Sequence, residues 1–218
     1  MSVFLRLILL FVATTTFAQT DTTFCYKSRL ILEMIEKNHY KPKPIDDDFS
    51  AYVFDKLFER LDDRRLLYSK SDVENLADLK DKLDDFLLNG ECDFISEFTS
   101  FYEKQLQLAK QTVESLAKTR LDFSGKDTVT YGSFKEKSYF SETPEELQKR
   151  WSKKIRVDII RDYLSLSNPS NFPKIKAQLK QKVIAENKCF IVDKLQAVNG
   201  LQNYIETTFL DAMCSYFD

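Results

Sequence analysis

Apolar residues recur at spacings of three and four along most of the chain, the period of an amphipathic helix packed on one side. Between residues 24 and 37 the recurring positions are Leu30, Ile31, Met34 and Ile35, and the following "HYKPKP" ends the helix because proline cannot continue it. A second helix is expected from about residue 48 to 61, with Phe49, Val53, Leu57 and Leu61 in one stripe. Ser71 followed by Glu74 reads as a capping box that opens one helix through Val73, Leu76, Leu79, Leu83 and Phe86 to a stop near Asn89-Gly90. A longer helix from 93 to 118 carries Phe94, Phe98, Phe101, Tyr102, Leu106, Ala109, Val113 and Leu116.

Residues 120–142 interrupt this pattern with two glycines and alternating Thr, Val, Tyr and Phe, which predicts an extended loop with a short strand pair around Asp127 to Tyr131. Helical signals resume at "TPEEL", where Thr143 is the expected N-cap, Pro144 the first helical residue and Glu146 the capping partner, followed by Leu147, Trp151, Ile155 and Ile159. A helix from about 173 towards 197 and another from 201 to 216 flank Asn199-Gly200. The expectation is therefore an all-α, irregular domain of about seven helices with one extended loop or strand pair near 120–142. It can be one unit or two helical subdomains, 19–119 and 143–218, joined by 120–142.

Composition supports helices: four glycines and five prolines in 218 residues leave few turn formers. The first residues change the picture of where the protein works. Arg6, an apolar run from Leu7 to Val12 and small residues up to Ala18 form a signal peptide, residues 1–18, with cleavage between Ala18 and Gln19. The apolar run is too short for a membrane span, which needs about 20 residues. Thr22-Thr23-Phe24 before Cys25 does not fit a lipoprotein signal. The mature product is expected to be exported and soluble.

Charge narrows the partners. Thirty-two basic and thirty-four acidic residues are well mixed, for a net charge of −2, so no nucleic-acid footprint is present. Cys25, Cys92, Cys189 and Cys214 lie far apart and form no CxxC pair. In an exported chain they allow three disulfide connectivities or buried free thiols, and the spacing does not choose.

The candidate chemistry is sparse. His39 is the lone histidine and stands in no HxxH or HExxH pattern. Asp46, Asp47 and Asp48 are adjacent, so their side chains diverge, and they read as acids in a helix's first turn. No GxSxG elbow, P-loop or GxGxxG occurs, and the hydroxyls of Thr128 and Thr130 suit an extended segment. Trp151 falls on an apolar helical stripe and is expected in the core. Neither a cofactor nor a metal is expected.

One order of residues carries more. His39-Tyr40, a linker with Pro42 and Pro44, Asp48 with Ser50, Leu61-Asp62, Ser71-Asp72, a later helix with Trp151, and the closing "YIETTFLDAMCSYFD" follow one another across the sequence. This order resembles the N-terminal domain of the tail-specific proteases, or carboxy-terminal processing peptidases, in which the last helix leads to an Asp-Pro-His motif; Asp218 stands where that Asp would be. The resemblance implies an exported serine peptidase of a Gram-negative periplasm that acts on proteins from their C-termini. It also implies PDZ and protease domains in the same polypeptide, protein substrates and, in some relatives, an adaptor lipoprotein. The family's Ser/Lys pair belongs beyond Asp218, so no catalytic residue carries over. His39 is implied to be structural, stacking beside Tyr40 or capping a helix end. The other reading is a free-standing exported interaction module without a protease. A domain that docks on others should expose an apolar patch, expected on the last helices, and a purely polar outer face on residues 201–217 would count against it.

Overall fold

A computed structural model describes residues 22–126, 140–167 and 171–218. Nine helices are present among the described residues, and no sheet. They are α1 (Thr22–Asn38), α2 (Asp47–Leu61), α3 (Lys70–Glu74), α4 (Ala77–Lys80), α5 (Leu83–Asn89), α6 (Phe94–Lys118), α7 (Pro144–Leu164), α8 (Phe172–Leu195) and α9 (Leu201–Cys214). The all-α expectation holds. The expected signal peptide, its Ala18–Gln19 junction and the strand pair near 127–131 lie outside the described residues.

The extra helices come from residues 70–89, where one helix was expected and three short ones form. Leu76, Leu79 and Lys82 each donate to the carbonyl three residues back, which tightens the chain into turns at two points. Ser50 of α2 fixes the last piece: its hydroxyl donates to Asp84 Oδ1 at 2.5 Å and accepts from the Asp84 amide at 2.8 Å. The stripe of Val73, Leu76 and Leu79 is only partly buried, so packing does not enforce a straight helix there. Gly90, at φ 76°, ends α5 in the left-handed conformation that suits glycine.

The capping box also moves. Ser69, not Ser71, caps α3: Asp72 N donates to Ser69 Oγ at 3.3 Å and Ser69 N to Asp72 Oδ2 at 2.9 Å. Both serines have an acid three residues on; Ser69 wins because it is held extended by a bridge to Ser141, with Lys70 N donating to Ser141 O at 2.8 Å. Thr143 and Pro144 open α7 as expected, but Glu146 returns its bond to the amide of Glu142, one residue upstream of the cap.

α6 is the central element. It packs against α7, α8 and α9, while α2 lies on α9 and is covered by α4 and α5. The buried apolar residues form one cluster that draws on both 22–119 and 140–218. Within it Phe24 of α1 meets Phe94 of α6 and Phe209 of α9 edge to face, with centroids 6.4 and 5.6 Å apart. A disulfide joins Cys25 to Cys92 and ties α1 to the turn before α6. Cys189 and Cys214 are exposed free thiols.

The exposed apolar surface is not where it was expected. Along α9 the exposed positions are Asn203, Thr207, Asp211 and Cys214, so that face is polar. α1 instead turns Phe24, Ser28 and Leu32 inward and presents Tyr26, Leu30 and Met34 to solvent on the opposite side. The apolar content of residues 201–217 is spent inside: Ile205, Phe209, Ala212, Met213 and Phe217 are all buried.

Candidate functional site

Two clusters gather the residues singled out in the sequence. The first lies where the chain leaves α9. The amide of His39 donates to Ile35 O at 2.8 Å and finishes α1, and Nδ1 accepts from Lys41 N at 3.3 Å. The imidazole rests against Tyr40, centroids 4.8 Å apart, and meets Phe217 at 6.3 Å. Tyr40 itself is 88% exposed, and Pro42 and Pro44 are exposed in the linker. That linker is caught from below: Lys43 Nζ donates to the Tyr216 carbonyl and lies over the Tyr216 ring.

α2 completes this latch. Asp46 caps it, accepting from Phe49 N, with Asp47 and Asp48 in the first turn against its free amides. Phe49 packs on Tyr216 and Phe217 at 5.3 and 6.1 Å. Tyr52 Oη donates to Ser215 O at 2.9 Å, and Arg60 donates to Ser215 Oγ at 2.7 Å and pairs with Asp211 at 3.4 Å. Residues 211–217 are therefore held by side chains 39–60, all of them far away in sequence.

The second cluster surrounds residues 62–69. Asp62, 3% exposed, accepts the amides of Leu66, Leu67 and Tyr68 at 2.7, 2.9 and 3.2 Å. The carbonyls that face outward from the same turn find two donors on α7: Arg150 reaches Arg65 O at 3.0 Å and Trp151 Nε1 reaches Leu66 O at 2.7 Å. Asp72, after taking the amide of Ser69, accepts Gln105 Nε2 at 3.0 Å and so anchors the turn to α6. Leu61 is buried, and Ser71 is exposed, touching Ser69 Oγ at 3.0 Å. Periodicity carries no trace of Arg65, Gln105 and Arg150. Arg65 turns the backbone at φ 53° and lays its guanidinium 4.1 Å from the Phe140 ring.

The electrostatics of this cluster are set by burial. Burial pushes the Asp62 carboxyl above the ordinary carboxylate value, while the three amides and Arg65 pull it down. Burial raises the Tyr68 and Tyr102 phenols, with Tyr102 the first electrostatic neighbour of Tyr68, and Tyr204 that of Tyr102. The unfolded chain releases phenolic protons near pH 10, whereas the folded chain holds these two longer. Stability is therefore present below pH 10 and is lost above it, by about 1.4 kcal/mol per pH unit per tyrosine. Tyr68→Phe should reduce that slope by one proton. It should also stabilise the protein at neutral pH by about 1 kcal/mol, because the fully buried Tyr68 hydroxyl has no partner among the described residues. Urea unfolding between pH 7 and 11 checks both; a loss of stability at pH 7 would show that the hydroxyl is satisfied in solution.

Ser50 of α2 is fully buried and its hydroxyl bonds Asp84. Among the described residues no group of three His, Cys, Asp or Glu side chains is placed to hold a metal, and no helix is long and apolar enough to cross a membrane.

The arrangement defines a class: a helical domain whose polar side chains, buried at the 62–69 turn and partly exposed at residues 211–217, hold its own backbone. Residues 31–218 match the family described as Tail specific protease N-terminal domain, and the chain belongs to that family. It corresponds to the non-catalytic helical domain that stands ahead of the family's protease part. It is also 26% identical over 149 residues to the tail-specific protease of Haemophilus influenzae (strain ATCC 51907 / DSM 11121 / KW20 / Rd), an alignment covering 68% of this chain. The alignment spans 21% of that protein, so the chain corresponds to about a fifth of the relative's length.

Proposed function

We propose that this domain is the N-terminal scaffold of an exported tail-specific serine peptidase, and that it fixes the direction in which the chain leaves α9 towards PDZ and protease parts of the same polypeptide. The observation that carries this reading is the latch on residues 211–217: Lys43, Tyr52 and Arg60 hold the backbone and side chains of the last turn while His39 and Phe49 flank Phe217. A chain end held by three hydrogen-bond donors and an aromatic cluster transmits its orientation to whatever follows; a frayed end does not.

On this reading His39, Tyr40, Pro42 and Pro44 serve the latch, and Leu61, Asp62, Asp72 and Trp151 serve the turn that supports α2 from its other end. Residues 19–119 and 143–218 act as one body, an assignment supported by the packing of α2 on α9 and of α6 on α8. Residues 1–18 are removed between Ala18 and Gln19, and the site of action is the periplasm of a Gram-negative bacterium. The Cys25–Cys92 disulfide agrees with such an oxidising compartment. Protein substrates and an adaptor lipoprotein are the partners that this reading implies.

An antibody raised against the domain tests the proposal on fractionated cells of the source organism. The expected result is one exported polypeptide several times larger than this domain that cleaves proteins with a free apolar C-terminus. A stable exported product of only this domain's size, with no larger precursor, overturns it in favour of a free-standing interaction module.

A further inference from the structure

The Cys25–Cys92 disulfide is not sealed in the core beside it. Phe24 and Phe94, within two residues of the cysteines, are 1% and 6% exposed, whereas Cys25 and Cys92 are both half-buried. Both cysteines line a cavity of about 700 Å³ between the starts of α1, α6 and α9.

The charged residues that line this cavity are all acids: Glu91, Asp93, Glu97 and Glu206. Glu206 is buried and accepts from Gln202 Nε2, a neutral donor, at 2.9 Å. Glu91, Asp93 and Glu97 are exposed, and among the described residues no cation pairs with them. Cys92 thus stands in the chain between two carboxylates whose charge nothing nearby cancels.

A disulfide opens when a thiolate attacks one of its sulfurs. The incoming thiolate forms a new S–S bond, the Cys25–Cys92 bond breaks, and the electron pair leaves on the other cysteine, which takes a proton from water. A second thiol on the same reductant then displaces the first, so the reductant departs as a disulfide and both cysteines remain as thiols. Every attacking thiolate is negative, and the field of the four acids opposes its approach. A positive charge next to the attacking sulfur offsets that field.

We propose that the Cys25–Cys92 bond is a thiol–disulfide exchange site, and that its reductant is a dithiol carrying positive charge beside the attacking sulfur. The half-buried cysteines and the cavity give access, and the acids set the choice. Opening the bond unties α1 from the turn before α6 and leaves it to its packing on α5 and to Phe24 and Leu32. The proposal needs no part of the scaffold reading.

Three small thiols of similar size test it: cysteamine (cationic), β-mercaptoethanol (neutral) and mercaptoethanesulfonate (anionic). The protein carries Cys189→Ser and Cys214→Ser, which removes the two exposed free thiols. Mixed-disulfide formation is followed by mass spectrometry without denaturant, and each rate is divided by that of the same thiol on a small uncharged disulfide. At low salt cysteamine should outpace mercaptoethanesulfonate about tenfold on this scale, with β-mercaptoethanol between them. The ratio should shrink towards one near 1 M salt, where the screening length falls to about 3 Å. Glu91→Gln with Asp93→Asn should shrink it at low salt; Asp93 makes no side-chain cap bond to α6, so the pair leaves that helix start intact. Equal scaled rates for the three thiols, or a ratio that the double variant does not change, overturns the proposal. So does a rate that does not rise with thiol concentration, because the bond would then open only when the protein unfolds.

Discussion

Replacing Cys25 and Cys92 together by serine lowers the stability of this protein by about 4 kcal/mol. The bridge closes a loop with a sequence separation of 67, and its Cα atoms sit 5.7 Å apart, inside the ordinary range for an unstrained bond. Restricting an unfolded chain over such a loop is worth about 4 kcal/mol in the loop-entropy description. In a domain of this size that corresponds to a drop in Tm of roughly 8–16 °C. The effect should be uneven. α1 touches the rest of the domain mainly through α5 and through the buried Phe24 and Leu32, so protease cleavage within α1 should precede global unfolding in the variant. Serine at the exposed Cys189 and Cys214 should change the urea midpoint little, which makes that pair the control. A double Cys25/Cys92 variant that melts with the parent protein would show that packing alone holds α1.

Asp62→Ala is the second large effect. The substitution strips the acceptor from three amides in a buried turn, those of Leu66, Leu67 and Tyr68, which have no other acceptor among the described residues. Orphaned buried donors cost about 1–3 kcal/mol each before relaxation, and adjacent ones share part of that cost. The expected loss is therefore about 3–5 kcal/mol, the scale of breaking one side of a buried charged contact. Asp62→Asn should cost less, because its one oxygen can take the Oδ2 place and still accept from Leu67 and Tyr68, while its NH2 faces only the Leu66 amide. Denaturant unfolding of both variants measures the ordering. Equal destabilisation by Ala and Asn would mean that the charge, and not the number of acceptors, holds the turn.

These two features were legible in the sequence to different degrees, and the reason is physical. The helices α6 and α7 were readable because long stripes of three- and four-residue spacing face one continuous core, and a proline at the first helical position admits few alternatives. Residues 70–89 were not, because the apolar stripe that suggested one helix is only half-buried and two long-range bonds between Ser50 and Asp84 outweigh it. The same holds for the cap at Ser69: two overlapping Ser-x-x-acid patterns differ only in a contact with Ser141, seventy-odd residues away, which no local window contains. The disulfide partner of Cys25 was equally out of reach. At the candidate sites, the order of His39, Asp62 and Trp151 along the chain was visible, but their roles depend on Phe217, on three amides and on the Leu66 carbonyl. Arg150 and Gln105 left no signal, since a surface-periodic Arg and a mid-helix Gln are what an ordinary amphipathic helix contains.

The position of α9 sets the order in which this domain can be completed. Phe24 rests on Phe209, α2 lies along α9, and Lys43, Tyr52 and Arg60 wait for residues 211–217, so the first quarter of the chain finds its partners in the last eighth. During synthesis, or threading through an export channel, Phe49 emerges long before Tyr216 and Phe217, the rings it packs on, while other parts of α2 can already settle on α4 and α5. Long-range closure of this kind slows folding and lengthens exposure to aggregation. The face of α2 that carries Phe49 thus stays uncovered on the growing chain until residues 201–217 have appeared.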